Sequence, residues 1–309
     1  MIKKFSVIGS GVMGHGIAQL YVLAGYPVAL YDIEEQYLQK ALKSIENNLS
    51  LLVQESVITE QAKRDALDRI VITTDLQHAV QDVDFITEAI PEVIELKWEL
   101  FKKLERYTKP ETIIASNTST FAITHLAEKM SSTYRMIITH FFNPAQLVPL
   151  VEVVRHEHTS DEVVQATMEL MKAIGKSPIL LKKDIPGFIA NRLQAALARE
   201  AFSLLQAGVA DAADIDLAVT AGPGFRWSFI GPIETADYGG LDIWKRVIEN
   251  LAPELDKSKK APAIIEELVD NGKLGVKTGE GIFAYKEKTV TQKIKERDEF
   301  FIRLAKLKK

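Results

Sequence analysis

The sequence predicts an α/β protein, with an amino-terminal, doubly wound and mostly parallel sheet followed by a domain built only of helices. Three observations carry this. Apolar runs of strand length alternate with helix-periodic segments up to about residue 183. The first run leads at once into three glycines at G-x-G-x-x-G spacing, Gly9, Gly11 and Gly14. From Lys182 onward the strands stop and amphipathic helical patterns take over.

Phe5 to Ile8 suits a buried strand, and helix-periodic Ile17, Ala18, Leu20, Tyr21 and Ala24 follow the glycines. Gly9 is expected to make the tight turn, Gly11 to let backbone approach a pyrophosphate, and Gly14 to let helix lie on strand. Val12 and Met13 complete this loop. The helix start behind it offers unpaired N–H groups and a positive dipole end to phosphates. A second apolar run, Val28 to Tyr31, ends at Asp32, where an acid can hold both ribose hydroxyls. Three turn glycines alone would be a weak signal. Strand, helix, second strand and acid in this order point to a Rossmann-type dinucleotide site. The cofactor is expected to be NAD, because Asp32 repels a 2′-phosphate and Ile33, Glu34 and Glu35 supply no arginine to receive one.

Residues from about Glu35 to Asp68 read as two charged helices, longer than a usual crossover and expected to stand out from the sheet as an arm. Strands are expected near 69–73, 84–89, 112–115, 136–139, 149–154 and 178–181, with helices over 92–107 and 161–173 between them. The close spacing of the runs between 136 and 154 leaves room for one antiparallel departure. The domain boundaries predicted are 1–183 for the sheet, 184–285 for the helices and 286–309 for a charged, mostly basic tail. The first helix of the second domain, from Pro186 to Ala207, is apolar enough that one face is expected to meet another subunit.

Composition excludes several classes. A net charge of −4 argues against a general nucleic-acid binder. The absence of cysteine removes disulfides and thiol chemistry, and no H-E-x-x-H or other zinc pattern occurs, so no metal is expected. No apolar run approaches membrane-spanning length and the first strand begins almost at once, which predicts a cytoplasmic protein without a leader or a membrane partner.

Hydride transfer to a nicotinamide needs a group to take the substrate's hydroxyl proton. Among six histidines, His140 ends an apolar strand on the side where open α/β sheets bind ligands. Glu152 lies inside Leu150-Val151-Glu152-Val153-Val154, where a carboxylate is costly unless paired, and an imidazole is its natural partner. Ser119, closing a Ser-Asn-Thr-Ser turn, and Asn191, early in the long apolar helix, are each able to bond a substrate oxygen. Their plainer roles are a helix cap and interhelical packing.

These segments together resemble the 3-hydroxyacyl-CoA dehydrogenase family, including bacterial 3-hydroxybutyryl-CoA dehydrogenases. The likeness runs from Val7 to Tyr285 through the glycine loop, Ala115 to Ser119, His140-Phe141-Phe142-Asn143-Pro144, Leu150 to Val154, Pro186 to Arg192 and Lys277 to Gly281. It implies a Rossmann domain plus a helical dimerisation domain, and so a homodimer. It implies that His140 is the catalytic base, that Glu152 is its partner, and that Ser119 and Asn191 contact the reacting oxygens. Glu92, Lys97, Ser119, Asn143 and Lys277 match positions that line the NAD site.

One stretch departs from the acyl-CoA pattern. Gly222-Pro223-Gly224-Phe225-Arg226-Trp227-Ser228-Phe229 looks more like the lambda-crystallin, gulonate dehydrogenase and carnitine dehydrogenase branch. There Arg226 is either a surface charge or a cation aimed at an anionic substrate. The expected reaction is NAD-dependent oxidation of a short-chain (S)-3-hydroxyacyl-CoA. The alternatives are the same chemistry on a free 3-hydroxy acid such as L-gulonate or carnitine, and a non-catalytic, crystallin-like NAD-binding protein.

Overall fold

The alternating segments form one eight-stranded sheet. In chain order they are β1 (Phe5–Ile8), α1 (Gly14–Leu23), β2 (Val28–Tyr31), α2 (Glu35–Gln54), α3 (Glu60–Leu67), β3 (Ile70–Thr73), α4 (Leu76–Val80) and β4 (Phe85–Glu88). Then come α5 (Ile94–Tyr107), β5 (Ile113–Ser116), α6 (Ile123–Leu126), β6 (Met136–Phe141), β7 (Leu150–Arg155), α7 (Asp161–Ala173) and β8 (Ser177–Leu181). The computed structural model describes residues 2–307. Two units divide the chain, Met1–Ile189 with Lys295–Lys309, and Ala190–Ile294.

The strand order is β3-β2-β1-β4-β5-β6-β7-β8. Neighbours run parallel except β6 and β7, which are antiparallel, and β8 follows β7 in parallel. Two consequences position the site. The order reverses between β1 and β4, which opens a crevice at the carboxyl ends of those strands. Because β7 and β8 run the other way, their first residues lie at that same edge of the sheet.

Alternate strand residues face two separate cores, the pattern expected of a parallel sheet covered on both sides. Phe5, Val7 and Phe85 join α1, α2 and α7 on one face, while Ile8 and Ile86 join α5 and α6 on the other. The helical arm does not stand free: Leu38, Ala41, Ile45 and Leu49 of α2 are fully or almost fully buried in the first core. Their helical spacing turns one stripe onto α1 and leaves the charges outside. Short polar residues start several helices, with Ser160 Oγ accepting from Val163 N at 3.3 Å before α7, and Thr59 Oγ1 from Ala62 N at 3.1 Å before α3.

The second unit holds α8 (Ala190–Gln206), α9 (Ala212–Ala221), α10 (Pro223–Trp227), α11 (Pro232–Gly239), α12 (Leu241–Leu251), α13 (Ala263–Asp270) and the start of α14 (Glu287–Leu307). Helices α11 and α12 are separated at Gly240, whose φ is 87°. Helix α8 begins later than the sequence pattern indicates, because Gly187 (φ 76°) and Phe188 (φ 52°) are both left-handed. The charged tail is helical, and its end returns to the first unit, where Ile302 is buried and Arg303 meets Glu55 at 3.3 Å. Residues 308 and 309 of that tail lie outside the described residues.

Candidate active site

The crevice between β1 and β4 is shaped by backbone. Gly9 has a φ of 95°, and a Cβ on Gly14 would fall 1.7 Å from Gly9 O, so the tight loop requires glycine at both places. The side of Gly11 that a Cβ would occupy is open. Met13 precedes α1 without capping it by a side chain, and no acid lies in the first turn, which leaves the helix start suited to an anion. Val12 is exposed beside it. Asp32 is held at the end of β2: its Oδ2 accepts from Ser10 N and Ser10 Oγ, both at 2.7 Å, and its Oδ1 from Ile33 N at 2.8 Å. These three bonds leave one of the carboxylate's roughly four acceptor sites, on Oδ1, for a further hydroxyl. The residues present therefore fit a dinucleotide: a glycine cradle, an open helix start and an ordered carboxylate.

His140 and Glu152 sit directly opposite each other on β6 and β7. Paired residues of an antiparallel ladder project from the same face. Accordingly His140 Nδ1 lies 2.8 Å from Glu152 Oε2, with both side chains buried. A carboxylate only accepts, so Nδ1 carries the hydrogen and Nε2 keeps its lone pair. Nε2 lies 3.1 Å from Ser119 Oγ, whose hydroxyl donates to it. Glu152 Oε1 accepts from Ile189 N at 2.9 Å, which fixes the carboxylate at both oxygens. The imidazole is held between two rings, Phe142 at 4.7 Å and Phe188 at 5.3 Å. Phe188 is 1% exposed, and its left-handed backbone is the cost of placing that ring, about 1–3 kcal/mol for such a conformation.

The turn that presents Ser119 hangs on Glu92. One oxygen of this carboxylate, Oε1, accepts from Thr118 Oγ1 (2.5 Å), Ser119 N (3.0 Å), Thr120 N (3.0 Å) and Thr120 Oγ1 (2.9 Å). Burial pushes the Glu92 carboxyl up, but the Thr118 bond, the Lys97 charge and the Thr120 bonds outweigh it and hold it below the usual carboxylate range. Lys97 is wholly buried, with Nζ 2.6 Å from Glu88 Oε1 and 3.2 Å from Glu92 Oε2. Glu88 Oε2 accepts from Ser116 Oγ at 2.5 Å. Asn117 Oδ1 then accepts from Phe141 N at 2.9 Å, which joins this turn to the end of β6. Lys97 supports the turn from behind and presents no surface of its own to a cofactor.

Asn143 is exposed on the loop after β6, next to a cis peptide bond to Pro144. The remaining predicted residues belong to the second unit. Asn191 lies in the first turn of α8, Arg226 in the last turn of α10, and Lys277 in the exposed loop after α13.

The chain matches the NAD binding domain of 3-hydroxyacyl-CoA dehydrogenase over residues 4–185 and the C-terminal domain of that enzyme over residues 187–285. It belongs to the 3-hydroxyacyl-CoA dehydrogenase family. Family relatives include the mitochondrial hydroxyacyl-coenzyme A dehydrogenase of Sus scrofa, 38% identical over 93% of this chain and 92% of the relative. Among solved structures, (S)-3-hydroxybutyryl-CoA dehydrogenase from Ralstonia eutropha is similar with a TM-score of 0.77 and 35% identity, over 93% of this chain and all of that one. Another is 5-formyl-3-hydroxy-2-methylpyridine 4-carboxylic acid 5-dehydrogenase, described as an NAD+ dependent dismutase. It has a TM-score of 0.91 and 31% identity, over 100% of this chain and 98% of that one.

The first unit is thus the NAD-binding domain of an NAD-dependent dehydrogenase. Several supports of its site escape a sequence-based expectation. Glu88 carries the same signal as Glu152, an acid in an apolar strand, and Lys97 is its partner. Ser10, Asn117 and Phe188 act through loop geometry, and no spacing rule announces that.

Proposed function

We propose that the protein oxidises the 3-hydroxyl of a short-chain (S)-3-hydroxyacyl-CoA to the ketone, reversibly, with His140 as general base. The observation that carries this is the ordered set Glu152–His140–Ser119 at the crevice edge of the sheet, with the imidazole lone pair on the accessible nitrogen. NAD, when bound, supplies the hydride acceptor. Nε2 of His140 takes the substrate hydroxyl proton as the C3 hydride leaves, and the neighbouring Glu152 carboxylate stabilises the imidazolium that forms. Ser119 Oγ, already directed at Nε2, turns to hold the reacting oxygen, and Asn191 is its proposed companion. In the reverse direction the same imidazolium returns the proton to the ketone oxygen. A base placed in this way is worth about 10²–10⁴ in rate.

A second reading has an observation of its own. The dehydrogenase matched over the whole of this chain is named for a free pyridine carboxylic acid, not a thioester. Arg226 lies on the short helix after Gly222, in the stretch that departs from the acyl-CoA pattern. Under this reading the substrate is a free hydroxy acid and Arg226 meets its carboxylate as a fork.

We also propose a homodimer formed through the helical unit. Among its described residues only Thr235 is buried, while Leu193, Phe225, Phe229, Ile233 and Leu241 are 58%, 75%, 92%, 82% and 64% exposed. Large side chains displayed so densely call for a covering surface, and a second copy supplies the same faces in return.

One assay series separates the readings. NADH is mixed with acetoacetyl-CoA and with 3-dehydrocarnitine, and NAD with gulonate. Rapid NADH loss with the thioester alone supports the main reading, and activity confined to free acids replaces it with the second. NADH binding without turnover on any of them assigns a non-catalytic role.

A further inference from the structure

Lys176 takes no part in the site as described so far, yet its position is unusual. It immediately precedes β8, whose start lies at the crevice edge because β7 and β8 run opposite to β1. The residue is 7% exposed. Its Nζ donates to two backbone carbonyls of the loop joining β6 to β7, Ala145 O at 2.6 Å and Val148 O at 2.8 Å. The backbone continues the same link, since Ser177 N donates to Pro149 O at 2.8 Å.

The other side of this loop bears on the cofactor helix. A Cβ at Gly16 would fall 2.6 Å from Gln146 Oε1 and 3.3 Å from Ala145 Cβ. Ala145 therefore has its carbonyl on Lys176 and its methyl against the first turn of α1. Within the loop, Pro144 O accepts from Leu147 N and Val148 N, both at 3.0 Å, so it moves as one piece. Its two ends are the strands of His140 and Glu152.

We propose that Lys176 is a positioning residue of the NAD cleft: its amine ties the β6–β7 loop to the start of β8 and thereby braces the amino-terminal turn of α1. Simple space-filling does not account for a lysine here, because an apolar side chain would fill the space without burying an amine. What the amine adds is a pair of donors for two carbonyls.

The choice of donor makes the brace sensitive to pH. Burial alone lowers the Lys176 amine to about 7. Glu152 and Arg155 of β7, and Asp161, Glu162, Glu169 and Lys172 of α7, exert no charge effect on it. A neutral amine has two N–H groups, matching the two carbonyls. The unfolded chain binds this proton up to the ordinary lysine value of 10.5, the folded one only up to about 7. The group therefore costs the fold its full penalty below pH 7, and stability rises as pH climbs from there toward 10.5.

The test uses K176M and K176Q, with NADH affinity measured by fluorescence between pH 6 and pH 9 and kcat measured at saturating NADH. K176M is expected to weaken NADH binding about tenfold, as the loss of two hydrogen bonds implies. Its kcat at saturation should stay within about twofold of wild type, and the inflection of NADH affinity near pH 7 should disappear. A folded K176M with wild-type NADH affinity at every pH overturns the proposal, as does a loss of kcat with affinity intact. If K176M does not fold, K176Q decides. Its uncharged amide should give weakened affinity with no inflection, and wild-type affinity and pH dependence there overturn the proposal equally. NADH binding is read without substrate, so the affinity arm is independent of whether the substrate is a thioester or a free acid, and the kcat arm uses whichever substrate the assay series identifies.

Discussion

His140 and Glu152 are direct cross-strand partners, and their side chains meet at 2.8 Å because β7 pairs antiparallel to β6. A parallel crossover would not have set these two residues in register without a longer connection. In the geometry observed, the carboxylate fixes which ring nitrogen is free. Replacing His140 with glutamine is expected to lower kcat by about 10²–10⁴ while the NADH dissociation constant changes little. Stopped-flow hydride transfer together with an NADH titration measures both, and an unchanged rate would remove His140 from the mechanism.

Glu152→Gln should act differently. The amide keeps an acceptor for Nδ1 but gives no charge to balance the imidazolium, so kcat should fall with NADH affinity retained. Stopped-flow hydride transfer beside an NADH titration reads this. A rate equal to wild type would sink the assigned role.

Asp32 and the residue after it are the proposed basis of cofactor choice. Asp32→Ser combined with Ile33→Arg removes the charge that repels a 2′-phosphate and supplies a guanidinium to bind it. The ratio of kcat/KM for NAD over NADP should drop by about a hundredfold or more, the lost repulsion and the new guanidinium–phosphate contact each contributing about 1.4 kcal/mol. Retained NAD preference would place discrimination elsewhere.

Behind the Ser119 turn, Lys97→Met leaves Glu88 buried without its cation. Removal of one partner of a buried pair costs about 3–5 kcal/mol, and chemical denaturation should show a loss of this size. The double variant Glu88→Leu with Lys97→Met should recover much of it, though Ser116 Oγ and Ile90 N lose their acceptor. A double variant no more stable than the single one contradicts the pairing.

Glu92 gives an acid-side prediction. Its folded carboxyl lies below the ordinary range, so its stabilising contribution is complete above the unfolded value and is lost as pH falls through the folded one. Thermal melts of wild type and Glu92→Gln should converge as pH drops below about 4. A constant gap between them across that range would show that the ionised form is not what holds the turn.

Most of the architecture was legible in the sequence because strands buried on both faces read as apolar runs and the glycine loop has a fixed grammar. Glu152 was legible for an energetic reason, since an acid within Leu150–Val154 needs a partner. The same reason applied to Glu88, but it stands last in its strand, where a carboxylate also passes for an exposed end residue. Phe188 was hidden because its role depends on a left-handed backbone that phenylalanine rarely adopts. Lys176 was hidden because a lysine between a glycine and a strand reads as solvated, and only the loop brought over it makes it a buried donor. The apolar stripe of the helical arm is legible in the sequence, but not the helix that receives it.

The second bond of Glu152 bears on how this fold can be re-equipped. Its Oε1 holds the amide of Ile189, the last residue before the chain passes into the helical unit. His140, Glu152 and the amide that holds the carboxylate thereby lie on one side of a single peptide link. A chimera that exchanges only Ala190–Ile294 would inherit the His140–Glu152 pair intact and keep the carboxy-terminal segment that belongs to the first unit. A junction placed ahead of Pro186 would replace the segment whose amide and ring secure that pair. A lineage that changed its helical unit would carry the His140–Glu152 pair unchanged with the nucleotide-binding module.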